Sequence, residues 1–149
     1  MSRDEPKGRD YLERSPLHLL HRASQCGTDL FQGELSGGLT PRQFIILQTV
    51  ARHEGLSQTQ LVERTGIDRS TLADVIRRML RKGLLQRRRT RDDARAYSVK
   101  LTEEGWRTLR QSEPLARRVD DKILAALSAA DRERLVGWLR QIVDRLTRE

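Results

Sequence analysis

Cysteine, aromatic side chains and long apolar runs are all scarce in this sequence, and each scarcity removes possibilities. A single cysteine, Cys26, leaves no intrachain disulfide to form. Aromatics make up 4% of the 149 residues, so a core must come mainly from Leu, Ile, Val and Ala. No apolar run approaches the roughly 18 residues that cross a bilayer. The opening MSRDEPKGRD lacks the apolar stretch of an export signal. A cytoplasmic protein is expected. No nucleophile–base pairing, Gly-rich phosphate loop or metal-ligand cluster stands out, so no enzyme activity and no cofactor are expected. His18 and His21 lie one turn apart on a helix but have no clear third ligand for zinc.

Positive charge, by contrast, is plentiful. Lys and Arg number 29 against 21 Asp and Glu, a formal net charge of +8. The pI of about 10.7 lies above the value of about 9 that marks nucleic-acid-binding domains. The excess is local: from Arg69 to Lys100, eleven basic residues meet three acids, so this segment carries the whole surplus. A positive field confined to one stretch points to a polyanion facing it. A membrane surface also attracts such charge, but the Ser70, Thr71 and Asp74 interleaved with the arginines suit base edges better than lipid.

The order of start and stop signals gives the organisation. Residues 1–14 read as a flexible arm. Ser15-Pro16 opens a helix to about Leu35, ended by Ser36-Gly37-Gly38. Thr40-Pro41-Arg42-Gln43 opens a second, stopped by Gly55. Ser57-Gln58-Thr59-Gln60 opens a third, ending at Thr65-Gly66. Asp68 caps a fourth from Arg69 to about Lys82, with Leu72, Ile76, Met79 and Leu80 as its apolar stripe. The third and fourth helices, joined by the short turn Thr65–Asp68, make a helix-turn-helix. Leu84–Arg89 and Ala96–Leu101 then read as strands of a hairpin whose tip is Thr90–Arg95. Thr102 caps a long helix through about Leu127, and Ser128–Asp131 form a capping box for a final helix carrying Leu135, Trp138, Leu139, Ile142 and Leu146. The expected fold is mainly α with a small β-hairpin: a winged helix-turn-helix DNA-binding domain over 39–102, with helical dimerisation segments at 15–36 and 103–149.

Double-stranded DNA is the partner this arrangement fits. The major groove admits one helix and offers donors, acceptors and thymine methyls. Arg69, Ser70, Thr71 and Asp74 enter first and are the candidates for base reading, with Arg77 and Arg78 beside them. Asp74 could instead orient those two arginines. Gln58 and Thr59, at the head of the third helix, are candidates for phosphates. In the hairpin, Arg87 and Arg89 fall on one face and Arg88 on the other; with Arg91 and Arg95 they form a basic ribbon that can reach a minor groove. Leu17, Leu20, Leu124, Leu127, Leu135, Leu139, Ile142 and Leu146 exceed what a three-helix core can cover. Burial against a second copy is expected, and with it an inverted-repeat operator whose half-sites lie about 10 base pairs apart.

These elements and residues together resemble the MarR family of bacterial transcriptional regulators. The likeness runs from Leu39 to Leu109: the Leu39–Phe44 opening, the Leu61–Leu72 helix-turn-helix, Gly83-Leu84-Leu85 before the wing, Asp93-Ala94-Arg95, and Val99–Gly105. The resemblance implies a dimer built from the terminal helices and repression relieved by a small ligand. It also places Arg95 at the wing arginine that enters the minor groove and Asp93 at the acid that positions it. Arg91 stands where a proline or glycine is common.

In the family, effectors sit between the dimer helices and the winged core, a region that here implicates His18, His21, Arg22, Gln25, Cys26, Phe44 and Trp106. The stretch Ser15–Gln25 is similar to the CouR- and FerC-like repressors that respond to hydroxycinnamoyl-CoA thioesters. That likeness implies an aromatic acyl-CoA effector and a role in aromatic catabolism, with Arg22 and Arg42 meeting the CoA phosphates. Cys26 as a peroxide sensor is an alternative. Its apolar helical neighbours, with Tyr11 and Tyr97 as the only tyrosines, favour a buried structural thiol. A ligand-independent architectural DNA binder is another alternative, one that explains the charge but not a capped helix with a polar face.

Overall fold

The arm expected over residues 1–14 is not wholly irregular, because Gly8–Arg14 form a short helix, α1. Leu12, Glu13 and Arg14 are good helix formers. In the computed structural model, which describes residues 8–35, 37–89 and 97–148, capping chemistry sets the later starts. Ser15 accepts from the His18 N–H at the head of α2 (Pro16–Glu34). Thr40 and Gln43 exchange hydrogen bonds of 3.2 and 3.1 Å in a full capping box for α3 (Pro41–Arg52). Ser57 and Gln60 do the same for α4 (Gln58–Thr65). Asp68 accepts from the Thr71 N–H at 3.0 Å to open α5 (Arg69–Arg81). Each bond satisfies an N–H that its helix leaves unpaired. Between α4 and α5, Gly66 takes φ +69°, a left-handed turn that a side chain would resist.

The apolar stripes of α3, α4 and α5 converge. Ile46, Leu47, Leu61, Leu72, Ile76 and Met79 have essentially no exposed surface. Burying one such side chain stabilises by about 1.5–3 kcal/mol relative to leaving it in water. After α5 the chain forms an antiparallel hairpin of β1 (Leu85–Arg89) and β2 (Tyr97–Leu101), in register from Leu85 opposite Leu101 to Arg89 opposite Tyr97. Leu85, Val99 and Leu101 seal its base against the core. Ala96, expected in the second strand, lies outside the described residues.

Helix α6 (Glu103–Leu124) begins against the turn that joins α5 to β1. The Thr102 hydroxyl donates to the Gly83 carbonyl (2.5 Å) and accepts from the Gly105 N–H (3.0 Å), while the Thr102 N–H donates to the Leu84 carbonyl. A Cβ on Gly105 would stand 2.1 Å from the Leu84 carbonyl oxygen, so only glycine fits. Farther along, Leu109, Ala116 and Val119 turn inward, and the end of α2 adds Phe31 and Leu35. Gln48 of α3 donates to Glu113 of α6 at 2.6 Å, and Lys122 of α6 pairs with Glu34 of α2. The α6 helix stops at Leu124, a turn earlier than expected, where Arg132 donates to the Leu124 and Leu127 carbonyls.

The last helix, α7 (Ala129–Leu146), buries none of its residues in the single chain. The expected Ser128–Asp131 capping box does not form. The Ser128 hydroxyl gives its hydrogen to the Asp131 carboxylate at 2.8 Å rather than accepting from the backbone. Trp138 is 57% exposed and Leu146 67%, and on α2 Leu17 is 70% exposed. Among the described residues, no helix is long and apolar enough to cross a membrane.

Candidate nucleic-acid interface

The face of α5 opposite its buried stripe carries Arg69, Ser70, Asp74, Arg77, Arg78 and Arg81. Its first turn is held by Asp68. The Thr71 side chain and backbone N–H, then the Ser70 hydroxyl, pull the Asp68 carboxyl down to about 2, and the charge of Arg42 adds to that pull. The cap is therefore ionised at neutral pH. The Ser70 hydroxyl donates to Asp68 at 3.0 Å. Arg69 reaches back across the turn to the Thr59 hydroxyl at 3.1 Å, tying the two helices of the helix-turn-helix together. Asp74 sits between Arg77 and Arg78, at 3.6 and 3.2 Å. It thus holds both arginines. These pairs are exposed, so each is worth under about 1 kcal/mol of stability; what they fix is direction.

The β1 strand runs beside this helix. Arg87, Arg88 and Arg89 are all exposed. Register puts Arg87 and Arg89 on the face of Val99 and Tyr97, and Arg88 on the face of Ser98. The Arg87 guanidinium lies 4.6 Å from the centre of the Tyr97 ring. A cleft of about 790 Å3 opens between α5 and β1, lined by Asp74, Arg77, Leu80, Arg81, Leu85, Gln86 and Arg87. Three arginines against one carboxylate make it a cationic trough. Arg91, Asp93 and Arg95, expected at the wing tip, lie outside the described residues.

Two expected phosphate contacts are engaged within the chain. Gln58 donates from Nε2 to the Tyr97 hydroxyl at 2.9 Å, and Thr59 holds Arg69. Tyr97 is the residue that sequence reasoning missed at this site; an aromatic closing an arginine-rich hairpin was the available signal.

The candidate effector residues are less gathered. His18 and Arg22, with Leu12, Glu13 and Leu19, line a hollow of about 480 Å3 where α1 meets α2. His21 and Gln25 are exposed on α2, and Gln25 donates to Asp29 at 2.9 Å. Phe44 is half-buried, its ring 5.8 Å from that of Phe31. Arg42 is near Asp68, at the head of α5. Trp106 is exposed on α6. Cys26 is exposed in the single chain rather than buried, because it lies on the face of α2 directed away from the core that Phe31 joins.

Comparison with known proteins agrees with this geometry. A model of the MarR family matches residues 37–96. The transcriptional regulator HosA of Escherichia coli O157:H7 is 32% identical over 133 residues, which span 89% of this chain and 98% of HosA. The chain belongs to the MarR family. Among solved MarR-like structures, PcaV from Streptomyces coelicolor in complex with its natural ligand is 31% identical, with a TM-score of 0.84 over 97% of this chain and 98% of PcaV. BpsR of Bordetella bronchiseptica, whose DNA binding is regulated by 6-hydroxynicotinic acid, is 28% identical with a TM-score of 0.85, covering 94% and 99%. The repressor CouR bound to a 23-mer DNA duplex is 26% identical with a TM-score of 0.82, covering 93% and 99%. The winged helix-turn-helix fold expected from the sequence is thus the fold of this MarR protein.

Proposed function

We propose that this MarR protein is a ligand-responsive transcriptional repressor that grips an inverted-repeat operator as a homodimer and releases it when a small aromatic effector binds. The observation that carries the DNA-binding half is the cationic trough. The exposed arginines of α5 and those of β1 flank one cleft, so a helix in a major groove and a ribbon over the neighbouring backbone engage one duplex together. The apolar residues left in water on α2 and α7 support a second copy as their cover. Arg95 is the proposed minor-groove contact. Its replacement by Ala should weaken operator binding by about 1–3 kcal/mol with the fold retained, and an unchanged gel-shift titration would remove that role.

An aromatic acyl-CoA thioester is the effector favoured by the Ser15–Gln25 stretch, its ring entering between α2 and the winged core and Arg22 meeting phosphate. The likeness to BpsR favours a second reading, a free aromatic acid whose carboxylate pairs with Arg22 or His18 beside the α2 hollow. Calorimetry and DNA release with feruloyl-CoA, ferulic acid and 6-hydroxynicotinic acid separate the two. Response to the thioester alone supports the first reading and response to a free acid the second. If none of the three binds, both effector readings fall. Footprinting tests the rest: one protected inverted repeat is expected, and uniform coverage would mark an architectural protein instead.

A further inference from the structure

We propose that Tyr97 is a positioning residue that locks the wing to the helix-turn-helix, so that Arg87 and the head of α4 meet the DNA backbone as one rigid unit. The inference rests on the DNA-binding reading above and adds a residue to it. Tyr97 opens β2, half-buried, directly opposite Arg89 in the register. Its hydroxyl accepts a 2.9 Å hydrogen bond from Gln58, the first residue of α4. Its ring carries the Arg87 guanidinium at 4.6 Å. One phenol thus touches three elements: its own strand, the neighbouring strand and the helix that backs the reading helix.

The anchor at the Gln58 end is stiff. Ser57 and Gln60 cap each other's backbone N–H groups immediately around it, at 3.2 and 2.9 Å. The Arg69–Thr59 bond ties that same turn to α5. A two-stranded hairpin has little stability by itself and takes its orientation from what it packs on. Here Leu85, Val99 and Leu101 fix the base of the hairpin, and Tyr97 is a further fixed point toward its far end. A guanidinium resting on a ring face also loses fewer rotamers on reaching a phosphate than one free in water. The Gln58 amide, on this view, acts through Tyr97 rather than on the DNA.

The test uses the full chain and a duplex enriched from a random library by the wild-type protein. If the wild type enriches no duplex, the DNA-binding reading fails before Tyr97 is examined. Given an enriched duplex, Tyr97→Phe should weaken binding about three- to tenfold, the scale of one hydrogen bond. Gln58→Leu should do the same, and the double variant should be no weaker than either single one. Tyr97→Leu and Arg87→Gln should each reduce the slope of log affinity against log salt by about one, with no further loss when combined. Far-UV circular dichroism and melting temperature should stay at wild-type values for Tyr97→Phe, which retains the ring. Wild-type affinity in Tyr97→Phe would overturn the proposal. So would penalties for Gln58 and Tyr97 that simply multiply, because Gln58 would then be touching the DNA by itself.

Discussion

Replacing Gly105 by Ala should loosen the joint between α6 and the turn that joins α5 to β1. The new Cβ would lie 2.1 Å from the Leu84 carbonyl oxygen, about 1 Å inside the closest contact such atoms accept. The opposing atom is backbone, so the head of α6 must shift by about that distance. Such a shift strains the Thr102 bonds to Gly83 and Leu84. Overpacking costs about 1–3 kcal/mol, and two weakened hydrogen bonds add about 0.5–1.5 kcal/mol each. Greater helix propensity of alanine returns up to about 1 kcal/mol. The net expectation is a loss of about 1–6 kcal/mol. At about 2–4 °C per kcal/mol for a chain of this size, the melting temperature falls by several degrees. Gly33→Ala in α2 is the matched control, because nothing lies within 4 Å of its added methyl; it should stabilise by up to about 1 kcal/mol. Urea and thermal melts of the two variants decide the matter. A Gly105→Ala protein at least as stable as the wild type would refute the close approach.

Other expectations follow from single features. Asp68 ionises well below its ordinary value, so its contribution to stability is complete above about pH 4 and is lost as pH falls through about 2. Asp68→Asn should cap α5 without that dependence, giving a smaller drop in urea midpoint between pH 5 and pH 2.5 than the wild type; an identical drop would contradict the assignment. Ile142→Glu on α7 should yield monomers in sedimentation and abolish tight operator binding, whereas a dimer at micromolar concentration would show that α7 is not part of the interface. Cys26→Ser should leave effector response intact, and loss of response together with oxidant-driven release from the wild type would favour the redox alternative.

Residues that declare a helix end by local chemistry were legible in the sequence. Thr40 with Gln43, Ser57 with Gln60, Asp68 and Thr102 each sit where the structure uses them, because a cap and its N–H lie within one turn. The buried stripe of α5 was legible too, since helical spacing alone places Leu72, Ile76 and Met79 on one side. Ser128 failed because its neighbour Asp131 competes for the hydroxyl hydrogen, a choice that residue type does not reveal. Cys26 failed in the single chain because Gln25 and Gly27 flank it and Arg22 and Asp29 lie one turn away, so its helix face is more polar than expected and stays exposed. The Gln58–Tyr97 bond joins residues 39 positions apart, and no local pattern encodes it. The trough between α5 and β1 was anticipated as charge but not as a cleft, since its shape depends on how the strand packs beside the helix.

Ser70 gives its hydroxyl hydrogen to the Asp68 carboxylate. What that oxygen has left for any further partner is lone pairs alone. In a major groove such an oxygen welcomes the amino hydrogens of adenine or cytosine and is repelled by the carbonyls of guanine and thymine. The N-cap that starts the helix therefore also fixes the polarity of its neighbour, and on the proposal that α5 reads bases Asp68 takes part in choosing the letter.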